Sequence, residues 1–200
     1  MRPAEIATLS AEHLWLVFVA VAVALAIAAP SAVLLTRRAR LRRWTLGVVN
    51  IVQTIPSLAL FGFLLPIPFL GVGKRTAILA LILYALLPSL RNMVVGILGV
   101  DPGVRESAVA MGMTVRQILW HVELPLAFPT ILAGVRIATV TTIGTATIAA
   151  AIGGGGLGTF VFRGIAMADT KTILAGAVPA ALMAIAADEV LGWIERRFSY

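Results

Sequence analysis

Five stretches of this chain are long and apolar enough to cross a bilayer, and that constrains the fold more than any other feature. A spanning helix needs about 20 mostly apolar residues, and proline and glycine are tolerated inside it. His13 to Thr36 carries no charge after His13, and Trp44 to Pro66 carries none. Thr76 to Leu90 is strongly apolar and continues past Arg91 toward Val100. Leu126 to Ile152 holds one charge, Arg136, and Thr172 to Trp193 is apolar until Asp188 and Glu189. A barrel strand would need only about 9–11 residues and would alternate. The predicted fold class is therefore an all-α polytopic membrane protein, a single transmembrane domain over residues 1–200. Its spans are expected near 13–36, 44–66, 76–98, 126–152 and 172–193. Composition agrees, with 60% hydrophobic residues, 12% charged residues and a mean hydropathy of +1.01. A soluble domain has roughly 45–50% apolar and about 25% charged residues. Disorder demands the opposite composition. With no cysteine, disulfides and thiolate metal sites are excluded.

Charge placement predicts topology. Basic residues collect on the cytoplasmic side of short loops. With the N-terminus outside, ten fall inside: Arg37, Arg38, Arg40, Arg42, Arg43, Arg91, Arg105, Arg116, Arg196 and Arg197. Five fall outside: Arg2, Lys74, Arg75, Arg163 and Lys171. The expectation is N-terminus out and C-terminus in. A small-residue run, Ala26 to Ala32, has the look of a signal-peptidase site. The arginines follow the apolar stretch, however, whereas a signal peptide has them before it. An uncleaved first span is expected. The arginine cluster at 37–43 reads as a topology signal beside a span, so no nucleic-acid partner is expected.

The longest segment between spans, about 99–125, carries the clearest local pattern. Asp101-Pro102-Gly103 is a turn that starts a helix. Glu106 to Met111 has a short helical pattern, and Gly112 interrupts it where the backbone turns tightly. Thr114 can cap a second short helix running through His121. Pro125 falls near the start of the next span, where proline costs little.

Here the chain resembles the permease subunits of ATP-binding-cassette importers. Their cytoplasmic motif reads Glu-Ala-Ala, three residues, Gly, nine residues, Ile, one residue, Leu-Pro. This sequence has Glu106-Ser107-Ala108, then Gly112, then Val122-Glu123-Leu124-Pro125 at the same spacing. Ser107 replaces Ala and Val122 replaces Ile. Three further segments are similar to permeases for glycine betaine, choline, carnitine and related osmoprotectants. They are Gln53 to Ala59, Leu86 to Asn92, and Gly144 to Thr147 continuing through Gly153 to Gly158. The resemblance runs from about Trp44 to the C-terminus. It implies a five-span core of the methionine-importer type in the inner membrane of a bacterium. It also implies a coupling loop that docks on a separate ATPase. That assigns coupling to Arg105, Glu106, Ser107, Ala108, Gly112, Met113, Leu124 and Pro125. It implies a separate external or periplasmic binding protein and a second permease copy or paralogue. ATP and Mg would be bound by the ATPase, and this chain would bind no cofactor and no metal.

The remaining candidates come from polarity within spans, which is expensive toward lipid. Asn50, Gln53, Thr54 and Ser57 are spaced to share one face of the second span, and Thr139, Thr142 and Thr145 form a stripe on the fourth. Either stripe could line the path or hydrogen-bond between helices. Arg136 is about ten residues into its span, roughly 15 Å deep. Asp188 and Glu189 are at roughly 10 Å, so an intramembrane ion pair with one of them is expected. Gly153, Gly155 and Gly158 match a dinucleotide-binding pattern by letter, yet they follow a span and open no βαβ unit. They are expected to form a flexible or re-entrant turn near the external gate. No aromatic cage for a quaternary amine is visible. Substrate selection is therefore expected in the partner binding protein, and the resemblance implies a quaternary-amine osmoprotectant as cargo, with an amino acid such as methionine as the alternative. An ion channel or a small intramembrane enzyme would leave the loop motif unexplained.

Overall fold

The computed structural model describes residues 3–198, and every regular element among them is helical. Arg2, counted above on the outer side, lies outside the described residues. Four helices are long enough to span: α1 (Pro3–Arg37), α4 (Lys74–Leu98), α7 (Leu124–Ile148) and α9 (Thr170–Phe198). At 1.5 Å per residue, the 35 residues of α1 reach about 52 Å, longer than a hydrocarbon core of about 30 Å. Each of the four carries an internal proline, at Pro30, Pro88, Pro129 and Pro179.

The second predicted span is broken in the middle. Residues 44–66 do not form one straight helix. They divide into α2 (Ala39–Thr54) and α3 (Ser57–Leu64), bent by 100°. Pro56 is the reason. It lacks the N–H that would continue the ladder, and it forces the residue before it out of the helical region. Ile55 is accordingly extended, at ψ 125°. The bent pair still carries the chain across the bundle. Arg37 contacts the 99–125 loop, and Lys74 contacts Glu12 near the start of α1, at the opposite end. These two ends are called the loop end and the far end below.

α4 is central, packed against both α1 and α7. In lipid, helices associate through close packing, since tails are as apolar as side chains. The packed faces accordingly use small residues. Ala20, Ala24, Ala28 and Ala32 of α1, spaced four apart, are all fully buried. Gly134 of α7 lies over Pro88 and Asn92 of α4, where an added Cβ would come within 2.5 Å of the Asn92 side chain. α9 packs on α7 and on a short helix, α8 (Gly158–Ala166), at the far end. The sequence reading left 159–171 unassigned, so α8 is an addition.

Candidate functional site

The loop end is built from two short helices and a turn. α5 (Pro102–Ala110) starts with Asp101 as its cap, whose carboxylate accepts from the Gly103 N–H at 2.6 Å and the Val104 N–H at 3.3 Å. It ends at Gly112, which has φ +78°. The Gly112 N–H donates to Val109 O at 2.9 Å and the Met113 N–H to Ala108 O at 3.1 Å. This paired arrangement closes a helix with a left-handed residue at its end, the conformation that glycine adopts without a Cβ penalty. Thr114 then opens α6 (Val115–Ile118) with a capping box to Gln117. α6 does not end as a separate helix. It passes through a π-turn, Leu119–Glu123, directly into α7, with Pro125 in the first turn of α7.

Of the residues assigned to docking, Glu106, Ser107 and Gly112 are exposed and Met113 is half-buried. Leu124 is half-buried and Pro125 exposed. Two assignments are corrected. Ala108 is buried beneath α5, because the helix presents that position to its own subunit. Arg105 is turned inward. Its guanidinium lies 3.1 Å from the Glu123 carboxylate and donates to Ile97 O of α4. Glu123 is fully buried, and Arg37, the last residue of α1, donates to both its oxygens at 3.2 and 2.5 Å. Sequence reasoning missed this cluster. Its one signal was an acid immediately before the apolar Leu124-Pro125.

Midway along α7, Arg136 holds Asp188 of α9 through two parallel contacts, Nε to Oδ1 at 2.6 Å and Nη2 to Oδ2 at 2.7 Å, with both side chains partly exposed. Glu195 joins at 3.4 Å. Of the two acids the expectation left open, Asp188 is the partner, and Glu189 is exposed and not part of this group. Residues 188, 192 and 195 share a helix face, whereas 189 is turned about 100° away. Gly192 makes room, lying against the guanidinium.

The two polar stripes fare differently from their sequence reading. Ser57 does not share a face with Asn50, Gln53 and Thr54, because the Pro56 break separates it from α2. Asn50 and Thr54 are exposed, and the Thr54 hydroxyl donates to Ile51 O. Gln53 donates to Tyr84 O at 2.7 Å. Pro88, four residues after Tyr84, has no N–H for that carbonyl, so the side-chain amide takes its place. Tyr84 in turn donates its hydroxyl to Ile55 O at the break. Gln53 thus fastens the bend of α2–α3 to α4. It also lines a groove of about 500 Å³ with Arg91 and Asn92. On α7, Thr139, Thr142 and Thr145 each donate to the carbonyl four residues back, at 2.8, 2.6 and 2.9 Å. Thr142 is corrected as a path residue, since it is buried in the subunit core. Thr139 and Thr145 are half-buried, and Thr141, overlooked in the sequence, is exposed beside Gly144.

At the far end the glycine turn is held, not loose. Gly153, Gly155 and Gly156 have φ of +74°, +82° and +73°. The Gly156 N–H donates to Glu12 Oε2 at 2.8 Å, and Glu12 also pairs with Lys74. A Cβ on Gly155 would meet that carboxylate at 2.5 Å, and one on Gly158 would meet Thr147 O at 1.8 Å. Beneath the turn His13 is fully buried, with Nε2 3.1 Å from Ile143 O. Among the described residues no cluster of His, Asp and Glu has the makings of a metal site.

Comparison with known proteins gives a consistent picture. Residues 20–200 match the family described as binding-protein-dependent transport system inner membrane component. The chain is 44% identical to a carnitine transport permease of Listeria monocytogenes, covering 94% of this chain and 85% of the relative. It is 46% identical to a glycine betaine/carnitine/choline transport permease of Bacillus subtilis (93% and 85% covered). It is 42% identical to an osmoprotectant import permease of Salmonella typhimurium (96% and 89% covered). Among solved structures, the fold matches a methionine ABC transporter in inward-facing conformations. One crystal form has a TM-score of 0.84 at 26% identity, covering 94% of each chain. Another has 0.89 at 24% identity over 100% of each and supports the fold alone.

Proposed function

Since the chain belongs to the binding-protein-dependent transport system inner membrane components, and is thus a permease subunit of an ATP-binding-cassette importer, we propose that it carries a quaternary-amine osmoprotectant of the glycine betaine, carnitine or choline type. The observation that supports this cargo is identity of 44–46% to permeases named for those compounds, over at least 93% of the chain, beside 42% to one named for osmoprotectants. The methionine-transporter likeness reflects fold and does not favour methionine as cargo.

A permease is not itself an ATPase. ATP and Mg would be bound by a partner ATPase subunit. The exposed face of α5, with Glu106, Ser107 and Val109, and the Gly112 turn after it would enter a groove on that partner, a helix-in-groove contact. The loop end would face the cytoplasm and the far end the outside, consistent with ten against five basic residues. A separate binding protein would deliver cargo at the far end, beside the Gly153–Gly158 turn. Two permease subunits, identical or paralogous, would enclose the path in the inner membrane. ATP binding would draw the coupling loops together and open the path outward, and hydrolysis would reset it. Asn50, Gln53, Thr54, Ser57, Thr139 and Thr145 are kept as residues near that path, with Gln53 also committed to Tyr84.

The test is co-purification of the tagged chain from its own membranes in mild detergent, followed by reconstitution into proteoliposomes. The expected result is capture of an ATPase subunit and a binding protein, and ATP-dependent uptake of radiolabelled choline, carnitine or glycine betaine. Uptake of methionine alone would overturn the cargo. Absence of any ATPase partner from intact protein would overturn the coupling assignment.

A further inference from the structure

Among the described residues Glu123 is the one buried acid, and docking does not use it. Arg37 of α1 and Arg105 of α5 meet on it at the start of α7, and Arg105 links it to α4. Arg37 at the end of α1 holds both oxygens at 3.2 and 2.5 Å. Arg105 of α5 approaches Oε1 to 3.1 Å, and the same guanidinium donates to Ile97 O, among the last carbonyls of α4. Those carbonyls have no partner within the helix. Glu123 itself closes the π-turn from which α7 begins. A π-turn carries one residue more than an α-turn, so side chains beyond it are set about 100° round from an unbroken helix. By contrast, α5 buries one residue, Ala108. Apolar packing therefore ties α5 to the bundle weakly, and the ion cluster is its main attachment.

We propose that Glu123 is the joint that passes displacement of the docking helix α5 to α1, α4 and α7, a positioning residue for coupling rather than for docking. If α5 slides away from α1 and α7, Arg105 leaves both Glu123 and Ile97 O, so the fully buried carboxylate keeps Arg37 as its partner but loses its second cation, and a carbonyl at the end of α4 loses its donor, both of which are disfavoured. The docking helix and the ends of the three spans are thereby obliged to move together. Without the carboxylate, two guanidiniums face one another, and α5 is free to move while the bundle stays put.

This inference rests on the importer reading above. The experiment uses the full complex in proteoliposomes, with its ATPase and binding protein, and the trimethylammonium compound that the wild type takes up fastest. ATP hydrolysis and uptake are measured together. In Glu123→Gln the ATPase subunit stays bound and hydrolysis continues, but uptake per ATP falls by about tenfold or more, as when one partner of a buried pair is removed. Arg105→Gln reproduces the defect, and the double variant is no worse than either single one, because both break one joint. Glu123→Asp recovers part of the ratio. A wild-type ratio in Glu123→Gln, or defects that multiply, would overturn the proposal. So would loss of the bound ATPase together with uptake. If Glu123→Gln yields no folded permease on which ATPase binding could be measured, the triple change Arg37→Met, Arg105→Met, Glu123→Leu removes the cluster without leaving a lone charge. An assembled triple variant that transports with normal coupling overturns the joint, and one that hydrolyses without transport supports it. A wild-type complex that takes up nothing would refute the importer reading, and it is measured before any variant.

Discussion

Gly112 separates two explanations of the same residue. Either it keeps the docking surface small, or it supplies a left-handed backbone that ends α5. A Cβ placed on it meets nothing within 4 Å in this subunit. Gly112→Ala therefore introduces no clash, and its cost is conformational. At φ +78° an L side chain costs about 1–2 kcal/mol, because Cβ crowds the following carbonyl. That amount is taken from the turn joining α5 to α6, so it lowers the population of docking-ready loop. Affinity for the ATPase should fall about 5- to 30-fold, at 1.4 kcal/mol per factor of ten. Asparagine tolerates the left-handed region, so Gly112→Asn should retain most of the affinity despite its greater bulk. The assay is titration of labelled ATPase subunit onto the chain in nanodiscs. Wild-type affinity in the alanine variant would refute the backbone argument. Asparagine binding as weakly as alanine, or more weakly, would show that side-chain volume at the interface is what matters.

Three further outcomes are expected. Tyr84→Phe leaves Ile55 O at the α2–α3 bend without a donor, and Gln53→Leu does the same to Tyr84 O. Each should cost about 1–3 kcal/mol of stability, read as a lower melting temperature in detergent, and the pair should be less than additive because both secure one bend. Asp188→Asn should weaken the α7–α9 contact and lower melting temperature, while Glu189→Gln should leave it unchanged. Exchanging Arg136 with Asp188 should recover part of the loss, and equal effects at 188 and 189 would refute the assigned partner. Finally, Asp169 accepts from the Thr172 hydroxyl and the Lys171 N–H at the start of α9. The Thr172 hydroxyl bond is the leading cause that holds its carboxyl below the ordinary 3.8. A lowered value means that the ionised form is favoured in the folded state. Its stabilisation is thus present above pH 3.8 and lost as pH falls through the lowered value. Amide exchange at Lys171 and Thr172 should accelerate in that acid range, and Asp169→Asn should remove the dependence.

The parts of the molecule that sequence made legible are those governed by local physics. Four spans follow from hydropathy, since lipid leaves helix as the sensible state for such runs. α5 and α6 follow from Asp101, Gly112 and Thr114, whose backbone preferences act over two or three residues. The second span is likewise legible, but its break was not foreseen although its cause was visible. Proline is tolerated in spanning helices, as at Pro30, Pro88, Pro129 and Pro179, so Pro56 alone could not be told from these. What distinguishes it is the partner supplied to the freed backbone. Tyr84 reaches Ile55 O from α4, and no pattern within residues 44–66 announces a hydroxyl thirty positions away.

The same reasoning explains why the coupling loop was recognised while its joint was missed. The motif spacing identifies Glu106 and Gly112 because both act where they stand, one on an exposed face and one on its own backbone. Glu123 acts through Arg37, 86 positions away in sequence, and through a π-turn that changes its facing by about 100°. Helical periodicity run backward from α7 assigns the wrong face to the residues before Leu124, because the extra residue shifts the register. The charge count misled in a related way. Arg37 counts equally with Arg38, Arg40, Arg42 and Arg43 toward topology, yet among the described residues it is the member of that cluster with a buried acid as partner. Replacing Arg38 or Arg40 by glutamine should therefore leave uptake per ATP intact where Arg37→Gln lowers it. Equal effects along the cluster would mean that its charge acts as a whole, on topology or on lipid, and not through Glu123.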